Sequence, residues 1–322
     1  MPTRGREIWA VYRVRCCLAC GSHEFVSYPA LVSPFIAAYV LHKMPELTRL
    51  LACKDCGFRF FETRYDADEV AGLYLGYRGP NYFRSRHRCE FWYSKKTNDA
   101  IGSDSREIAT RRAGVMAYLT KHVDASKIEK ILDYGGDRGQ FIPEQIGKER
   151  YVYEISKAQP VQGVTNLSER SQVAGRSYDL IMLCHVLEHC SDPIEVLNDI
   201  KALTRNGKER PLFYCEVPLE VYDLRWVGTS RFYETYLAML SAVKPLLYAI
   251  DFYSTTARVK FGVIPPLGFL KQHEHINFFS VASLTALMNR AGFQVLGCDI
   301  VTNKRAVFPS VVKCLATTCA PL

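Results

Sequence analysis

The stretch Ile131-Leu132-Asp133-Tyr134-Gly135-Gly136-Asp137-Arg138-Gly139-Gln140-Phe141 decides the fold of this chain, together with Glu154 a short way downstream. It reads as a buried strand, a glycine-rich turn and a second strand that ends in a carboxylate. Glycines in such a turn let the backbone approach a ligand closely, and a carboxylate at the end of the second strand can grip ribose hydroxyls. The pattern predicts a nucleoside cradle.

Working outward, strands and helices alternate. Residues 105–122 read as a helix, with Asp104 and Glu107 as its capping box. Residues 130–134, 150–155 and 161–165 read as strands. The continuous apolar run 178–184 has the texture of a central parallel strand. Asp192-Pro193-Ile194-Glu195 starts a helix whose Ile194, Leu197, Ile200 and Leu203 recur at helical spacing, with Gly207 closing it. Residues 211–217 form the next strand. Ser280 caps a helix that carries Leu284, Leu287, Met288 and Ala291 and stops at Gly292. Residues 293–300 and 306–316 supply the last strands. Short connections between alternating elements mean an α/β chain with a doubly wound sheet.

Two glycine-loop chemistries fail on spacing. A phosphate loop needs Lys-Ser/Thr after its last glycine, and Gly139 is followed by Gln140. The dinucleotide fingerprint needs glycines at positions one, three and six, where this chain has Gly135, Asp137 and Gln140. The remaining pattern, Asp-x-Gly-Gly-x-x-Gly, resembles motif I of the class I S-adenosylmethionine-dependent methyltransferases. Asp133, Gly135 and Gly139 match it, Asp137 stands in place of the middle glycine, and Gly136 lies beside it. The resemblance implies a Rossmann-like sheet that binds S-adenosylmethionine through Asp133, Gly135, Gly136 and Gly139. It also implies Glu154 on the ribose diol and Asn166, after the third strand, near the adenine. An acidic group here suits a cationic sulfonium and amine.

His185-Val186-Leu187-Glu188-His189 follows the fourth strand, and it resembles the branch of the family that methylates quinones, sugars and other small molecules. That strand edge faces the methyl group, which makes His185 a candidate for lining the transfer site. His189 reads equally well as a core or capping residue. Gln272-His273-Glu274-His275 precedes the helix capped by Ser280. Methylating oxygen or carbon requires removal of a proton, and a histidine paired with a carboxylate is a base suited to neutral pH. This element resembles the Glu-His pair of sugar C-methyltransferases. His275 is the expected base and Glu274 its expected partner.

Cys17-Leu18-Ala19-Cys20-Gly21 and Cys53-Lys54-Asp55-Cys56-Gly57 are matching knuckles. Four thiolates from two such turns complete a closed, structural Zn²⁺ site. A zinc-binding region before a methyltransferase domain resembles deoxysugar C-methyltransferases and enzymes of polysaccharide clusters, over most of residues 15–300. That group carries a further C-terminal domain, for which this chain ends too soon, so O- and C-methylation both stay open. The expected division is a zinc- and acceptor-binding region 1–100 and a methyltransferase domain 101–322. An insertion at 219–270 is placed to cover the acceptor.

Residues 74–96 interleave arginines (Arg78, Arg84, Arg86, Arg88) with tyrosines, Phe83, Phe91 and Trp92. Arginine forks bind phosphate and aromatics stack on rings, which suits a sugar nucleotide or a single-stranded nucleic acid, or else a packed linker helix. An RNA or protein methyltransferase is the alternative reading. Base-modifying enzymes often show Asn/Asp-Pro-Pro-Tyr/Phe after the fourth strand, where this chain has Cys184-His185-Val186-Leu187, and that argues against nucleic acid. The 322 residues carry a net charge of +8 and 48% hydrophobic side chains, enough for a full core and without the composition of a disordered chain. The basic first fifteen residues lack a signal-peptide core, and the twelve cysteines show no disulfide pattern. Both point to the cytoplasm. The apolar segment 232–250 is broken by Glu234 and Lys244, so it reads as a buried or interfacial helix and leaves room for peripheral membrane contact.

Overall fold

The structure, a computed structural model, describes residues 14–156, 158–203, 210–302 and 309–318. In chain order it contains β1 (Phe25–Val32), α1 (Pro34–Tyr39), β2 (Leu47–Cys53), β3 (Arg59–Phe61), α2 (Ala67–Tyr74), α3 (Pro80–Cys89), α4 (Lys95–Ala100) and α5 (Ser105–His122). Then come β4 (Lys130–Tyr134), β5 (Glu149–Tyr153), β6 (Thr165–Leu167), α6 (Arg170–Ala174), β7 (Leu180–Cys184), α7 (Pro193–Leu203) and β8 (Leu212–Pro218). The chain continues through α8 (Arg231–Ala242), α9 (Lys244–Phe261), β9 (Leu270–Gln272), β10 (Asn277–Phe278), α10 (Val281–Arg290), β11 (Phe293–Thr302) and β12 (Ser310–Thr318).

Seven strands form the main sheet in the order β11-β12-β8-β7-β4-β5-β6. Strands β6, β5, β4, β7 and β8 run parallel, and β12 lies antiparallel to both β8 and β11. Alternate residues of β7 feed two different cores. Leu180, Met182 and Cys184 pack with Val115 and Leu119 of α5, while Ile181 and Leu183 pack with Leu197 of α7 and Leu284 of α10. A strand buried on both faces must be apolar throughout, as the run 178–184 is. The expected doubly wound α/β sheet is what the chain forms.

Two sequence readings shift. The third strand is Thr165–Leu167, not 161–165, because Val161 to Val164 closes a turn through the Val164 N–H to Val161 C=O bond. Asn166 therefore sits exposed inside this edge strand instead of following it. Residues 135–148 join β4 to β5 by turns, without a helix. Gly207, read as a helix end, lies outside the described residues, as does the start of the strand read at 306–316.

A second sheet, ordered β10-β3-β2-β1-β9, joins residues 25–61 to residues 270–278. β9 pairs in parallel with β1 at one edge, and β10 pairs antiparallel with β3 at the other. His273, Glu274, His275 and Ile276 thus pass from one edge of this sheet to the other. Sheet pairing crosses the sequence boundary drawn at residue 100, and so does packing, since Cys17, Cys53, Phe58 and Phe60 share a core with Leu284 and Leu287 of α10.

Candidate active site

The glycine turn is built around Asp133. A Cβ at position 136 would stand 2.1 Å from the Asp133 Cγ, so only glycine fits there. The Asp133 side chain is fully buried, and neither of its oxygens has a hydrogen-bond partner among the described residues. Burial is the main cause that raises its pKa to about 7; Arg111 pulls the other way, and Glu154 and Asp137 add to the rise. Asp137, the departure from the commoner motif, has φ +55. Aspartate is among the few residues that tolerate this left-handed conformation, so it can take the backbone shape of the glycine it replaces. The Asp137 N–H donates to Glu154 Oε2 at 3.0 Å, and the Ser156 N–H donates to Glu154 Oε1 at 2.8 Å. The turn and the carboxylate at the end of the second strand are therefore directly joined. Gly139 closes the turn through its N–H to the Gly136 carbonyl.

The segment 185–189 packs against this turn, with Val186 under Gly135. His185 also has a left-handed backbone, φ +60, a costly conformation that tends to occur at functional sites. Its Nδ1 lies 3.2 Å from Glu188 and its Nε2 lies 3.3 Å from Glu216. Glu216, at the end of β8, also receives Arg111 of α5 at 3.1 Å, Lys313 of β12 at 3.2 Å and the Tyr214 hydroxyl at 2.7 Å. Burial opposes ionisation of Glu216, but His185, Arg111 and Lys313 outweigh it and hold the carboxyl well below the usual range.

Ligand atoms of Glu188, His189 and His275 lie within 4.8 Å of one another. The two imidazoles pack edge to face with centroids 4.7 Å apart. Burial and the neighbouring His275 both lower the pKa of His189. Its Nδ1 lies 3.0 Å from the Glu274 carbonyl, an acceptor, which places the proton on Nδ1 and leaves Nε2 with a lone pair. His275 is the opposite case. Burial would lower it, but the ion pair between its Nδ1 and Glu220 raises its pKa to about 9.

Glu274 does not partner His275. It faces the other way, onto the Tyr82 hydroxyl, the Tyr77 hydroxyl at 3.2 Å and Arg86 at 3.5 Å. In an extended segment neighbouring side chains point to opposite sides, which separates these two. Arg86 also bonds Glu90 at 2.8 Å and stacks 4.0 Å over the Tyr93 ring. The basic aromatic stretch thus has its central arginine and tyrosines engaged inside the protein. Glu90 is shared with Lys271 at 2.8 Å and His273 at 3.2 Å. Sequence reasoning missed Glu216, Glu220, Glu90 and Lys271, because no local spacing links them to their partners. A cavity lies against Glu220, lined also by Arg59, Tyr222, Arg258 and Phe278.

The four knuckle cysteines converge. Cys17 and Cys56 Sγ atoms are 3.6 Å apart, as are those of Cys20 and Cys53, and all four lie within 4.8 Å. Four sulfurs at a Zn–S distance of about 2.3 Å stand roughly 3.8 Å apart in a tetrahedron, so the cage has the size for such an ion. Gly21 and Gly57 have φ +83 and +71, which lets each knuckle fold back through an N–H to the carbonyl of its first cysteine.

The sheet order and the glycine turn joined to an acidic strand end define an α/β enzyme of the nucleoside-cradling kind. Residues 104–297, more than half of the chain, match the family described as "Methyltransferase domain". The chain belongs to that family and is an S-adenosylmethionine-dependent methyltransferase. No curated protein sequence matches it. Among solved structures, magnesium protoporphyrin IX methyltransferase from Synechocystis PCC 6803 is similar at 13% identity, covering 78% of this chain and 100% of that one, with a TM-score of 0.42. The 1,6-didemethyltoxoflavin-N1-methyltransferase of Burkholderia thailandensis is similar at 14% identity, covering 82% and 97%, with a TM-score of 0.41.

Proposed function

We propose that the enzyme methylates an oxygen or carbon of a small molecule, a sugar nucleotide or glycan, with the His189–His275 pair receiving the acceptor's proton. One observation carries this reading: ionisable groups Glu188, His189 and His275 cluster beside the glycine turn, at the exit of β7. The turn fits the methyl donor. Asp133 offers a buried carboxylate without a hydrogen-bond partner among the described residues, and Glu154 stands at the mouth of the turn. Glu154 is assigned to the ribose hydroxyls, Asp133 to the donor's cationic side, and Gly135, Gly136 and Gly139 to backbone approach, with Asn166 toward the adenine. S-adenosylmethionine supplies an electrophilic methyl group there.

His189, held neutral with its free Nε2, takes the proton. His275, charged against Glu220, orients and stabilises the developing oxyanion or carbanion. His185 fixes the carboxylates Glu188 and Glu216 around it. The base role read for His275 in the sequence passes to the pair. Cys17, Cys20, Cys53 and Cys56 hold a structural Zn²⁺ in the N-terminal region 1–100. The methyltransferase domain is 101–322, and its insertion 219–270 covers the acceptor, as the cavity against Glu220 supports. Reduced thiols suit a cytoplasmic site of action, and no helix among the described residues is long and apolar enough to cross a membrane.

The test is transfer of a tritiated methyl group to nucleotide sugars and, in parallel, to bulk RNA. Incorporation into sugars that falls about 10²–10⁴-fold in His189→Ala supports the reading. Incorporation into RNA alone overturns it. Calorimetric titration with S-adenosylmethionine isolates the donor site, because Glu154→Ala must weaken binding there.

A further inference from the structure

The α8–α9 hairpin is apolar on both of its sides. Leu237, Leu240 and Leu247 face inward and pack with Leu31 and Phe269. Outward, Phe232 is 89% exposed, Phe261 76%, Val259 75% and Met239 67%, and Val243 and Leu246 stand half exposed at the turn between the helices. The hydroxyls of Tyr233 and Tyr236 tie α8 to the Gly268 and Leu267 carbonyls, and this sets the exposed Leu267 beside the same hairpin. A helix on a solvated surface keeps its outer face polar. This one does not, and the patch it leaves is the kind that marks a docking site.

The hairpin's charges are sorted by side. Its two acidic residues turn inward, Glu234 to Arg49 and Asp251 to Lys271. The exposed charges are Arg231, Lys244 and Lys260, all cations. Aromatic and aliphatic side chains interleaved with unopposed cations are complementary to an anionic headgroup layer over a hydrocarbon interior. Neither helix is long and apolar enough to span it.

We propose that the α8–α9 hairpin seats the enzyme on an anionic lipid bilayer, lying in the interface with its apolar side chains among the acyl chains. Arg231, Lys244 and Lys260 contact the phosphates, while Phe232, Met239, Val259 and Phe261 enter the headgroup boundary. The inward face of α9 supplies Asp251, Ser254 and Arg258 to the cavity against Glu220, so the bilayer lies one helix away from that cavity. The proposal does not depend on which acceptor is methylated.

Co-sedimentation of the full chain with vesicles tests it, using phosphatidylcholine alone and an equal mixture with phosphatidylglycerol. Binding to the mixed vesicles, weaker binding to phosphatidylcholine and release by salt are expected. Each basic residue near such a surface contributes about fivefold, so R231Q/K244Q/K260Q is expected to bind roughly a hundredfold less tightly. Phe232→Ser with Phe261→Ser should lose binding at low salt as well. Because these residues are exposed, both variants should keep wild-type melting temperature and donor affinity. Lys244→Glu is a milder variant that reads the charge contribution if either multiple variant fails to fold. Failure to bind the mixed vesicles, or binding by the charge and apolar variants equal to that of wild type, overturns the proposal. So does a concentration-dependent dimer that Phe232→Ser dissolves, which would give the face to a second copy of the chain.

Discussion

Glu220 and His275 form a partly buried ion pair that ties the exit of β8 to the segment running between β9 and β10. The pair holds His275 charged, and that charge adds to burial in lowering the pKa of His189. His275 has its pKa raised from 6.5 to about 9, so the folded state holds a proton that the unfolded state releases. Its contribution to stability is full below pH 6.5 and is lost as pH rises through about 9. A shift of this size corresponds to roughly 3 kcal/mol for such a pair. Glu220→Gln should remove that slope. Urea unfolding at pH 6 and pH 9 should show the variant closer to wild type at the higher pH. Wild-type-like slopes in the variant would mean that the proton is held elsewhere.

Asp133 should show a pH dependence of the same sign at the cradle, caused by burial instead of a partner charge. Its pKa is raised to about 7, so it is neutral when folded at mildly acid pH, and its stabilising contribution falls away as pH climbs from about 3.8 through 7. Asp133→Asn removes a buried charge and should be more stable than wild type at pH 8. It should also bind S-adenosylmethionine more weakly, with a flatter pH dependence. Titration calorimetry across pH 6 to 8 reads both effects, and proton release on donor binding by wild type alone is the signature.

Gly136→Ala should abolish the cradle. The added methyl would stand 2.1 Å from the Asp133 Cγ, and the atoms around it are the buried carboxylate itself, not a flexible chain end. A loss of several kcal/mol in stability, or a fold that survives without measurable donor binding, is expected. Donor affinity within threefold of wild type would show that the turn can shift.

The cradle was legible because its chemistry is local: Asp133, the glycines and Glu154 lie within a single strand-turn-strand unit. The β7 run was legible because burial on both faces leaves no polar letter. The second sheet was not legible. β9 and β10 have three and two residues, and their partners β1 and β3 lie more than two hundred positions earlier. The pairing of His275 was hidden for the same reason. Glu274 is adjacent in sequence but faces Tyr82 and Arg86, whereas Glu220 is brought in by the turn of the chain after β8. Arg86 and Tyr82 were visible as unusual residues, yet a one-dimensional pattern cannot distinguish an arginine that awaits a phosphate from one that neutralises a buried glutamate.

Lys271 joins Glu90 to Asp251, at 2.8 and 2.9 Å, with all three side chains almost fully buried. Removing one member of such a cluster leaves uncompensated charge and costs about 3–5 kcal/mol. Lys271→Met should show that loss in denaturant unfolding. Adding Glu90→Gln and Asp251→Asn should recover much of it, because the orphaned charges are then gone. Strict additivity of the three changes would mean that the groups do not interact.

The four-cysteine cage, loaded with metal, is predicted to stabilise more than its own knuckles. Cys17 and Cys53 belong to the core that contains Leu284 and Leu287, and Arg290 at the end of α10 donates to the Cys17 carbonyl at 3.0 Å. Loosening the knuckles therefore frees the helix that covers one face of the main sheet. One Zn²⁺ per chain should be measured by elemental analysis, and Cys53→Ser should lose it. The variant should melt at a lower temperature and expose Phe58 and Phe60 to proteolysis. Arg290→Ala keeps all four ligands, so it should retain the metal while melting partway toward the Cys53→Ser value. If Cys53→Ser loses the ion and Arg290→Ala melts like wild type, the cage stabilises only its local turns and its link to α10 carries no energy.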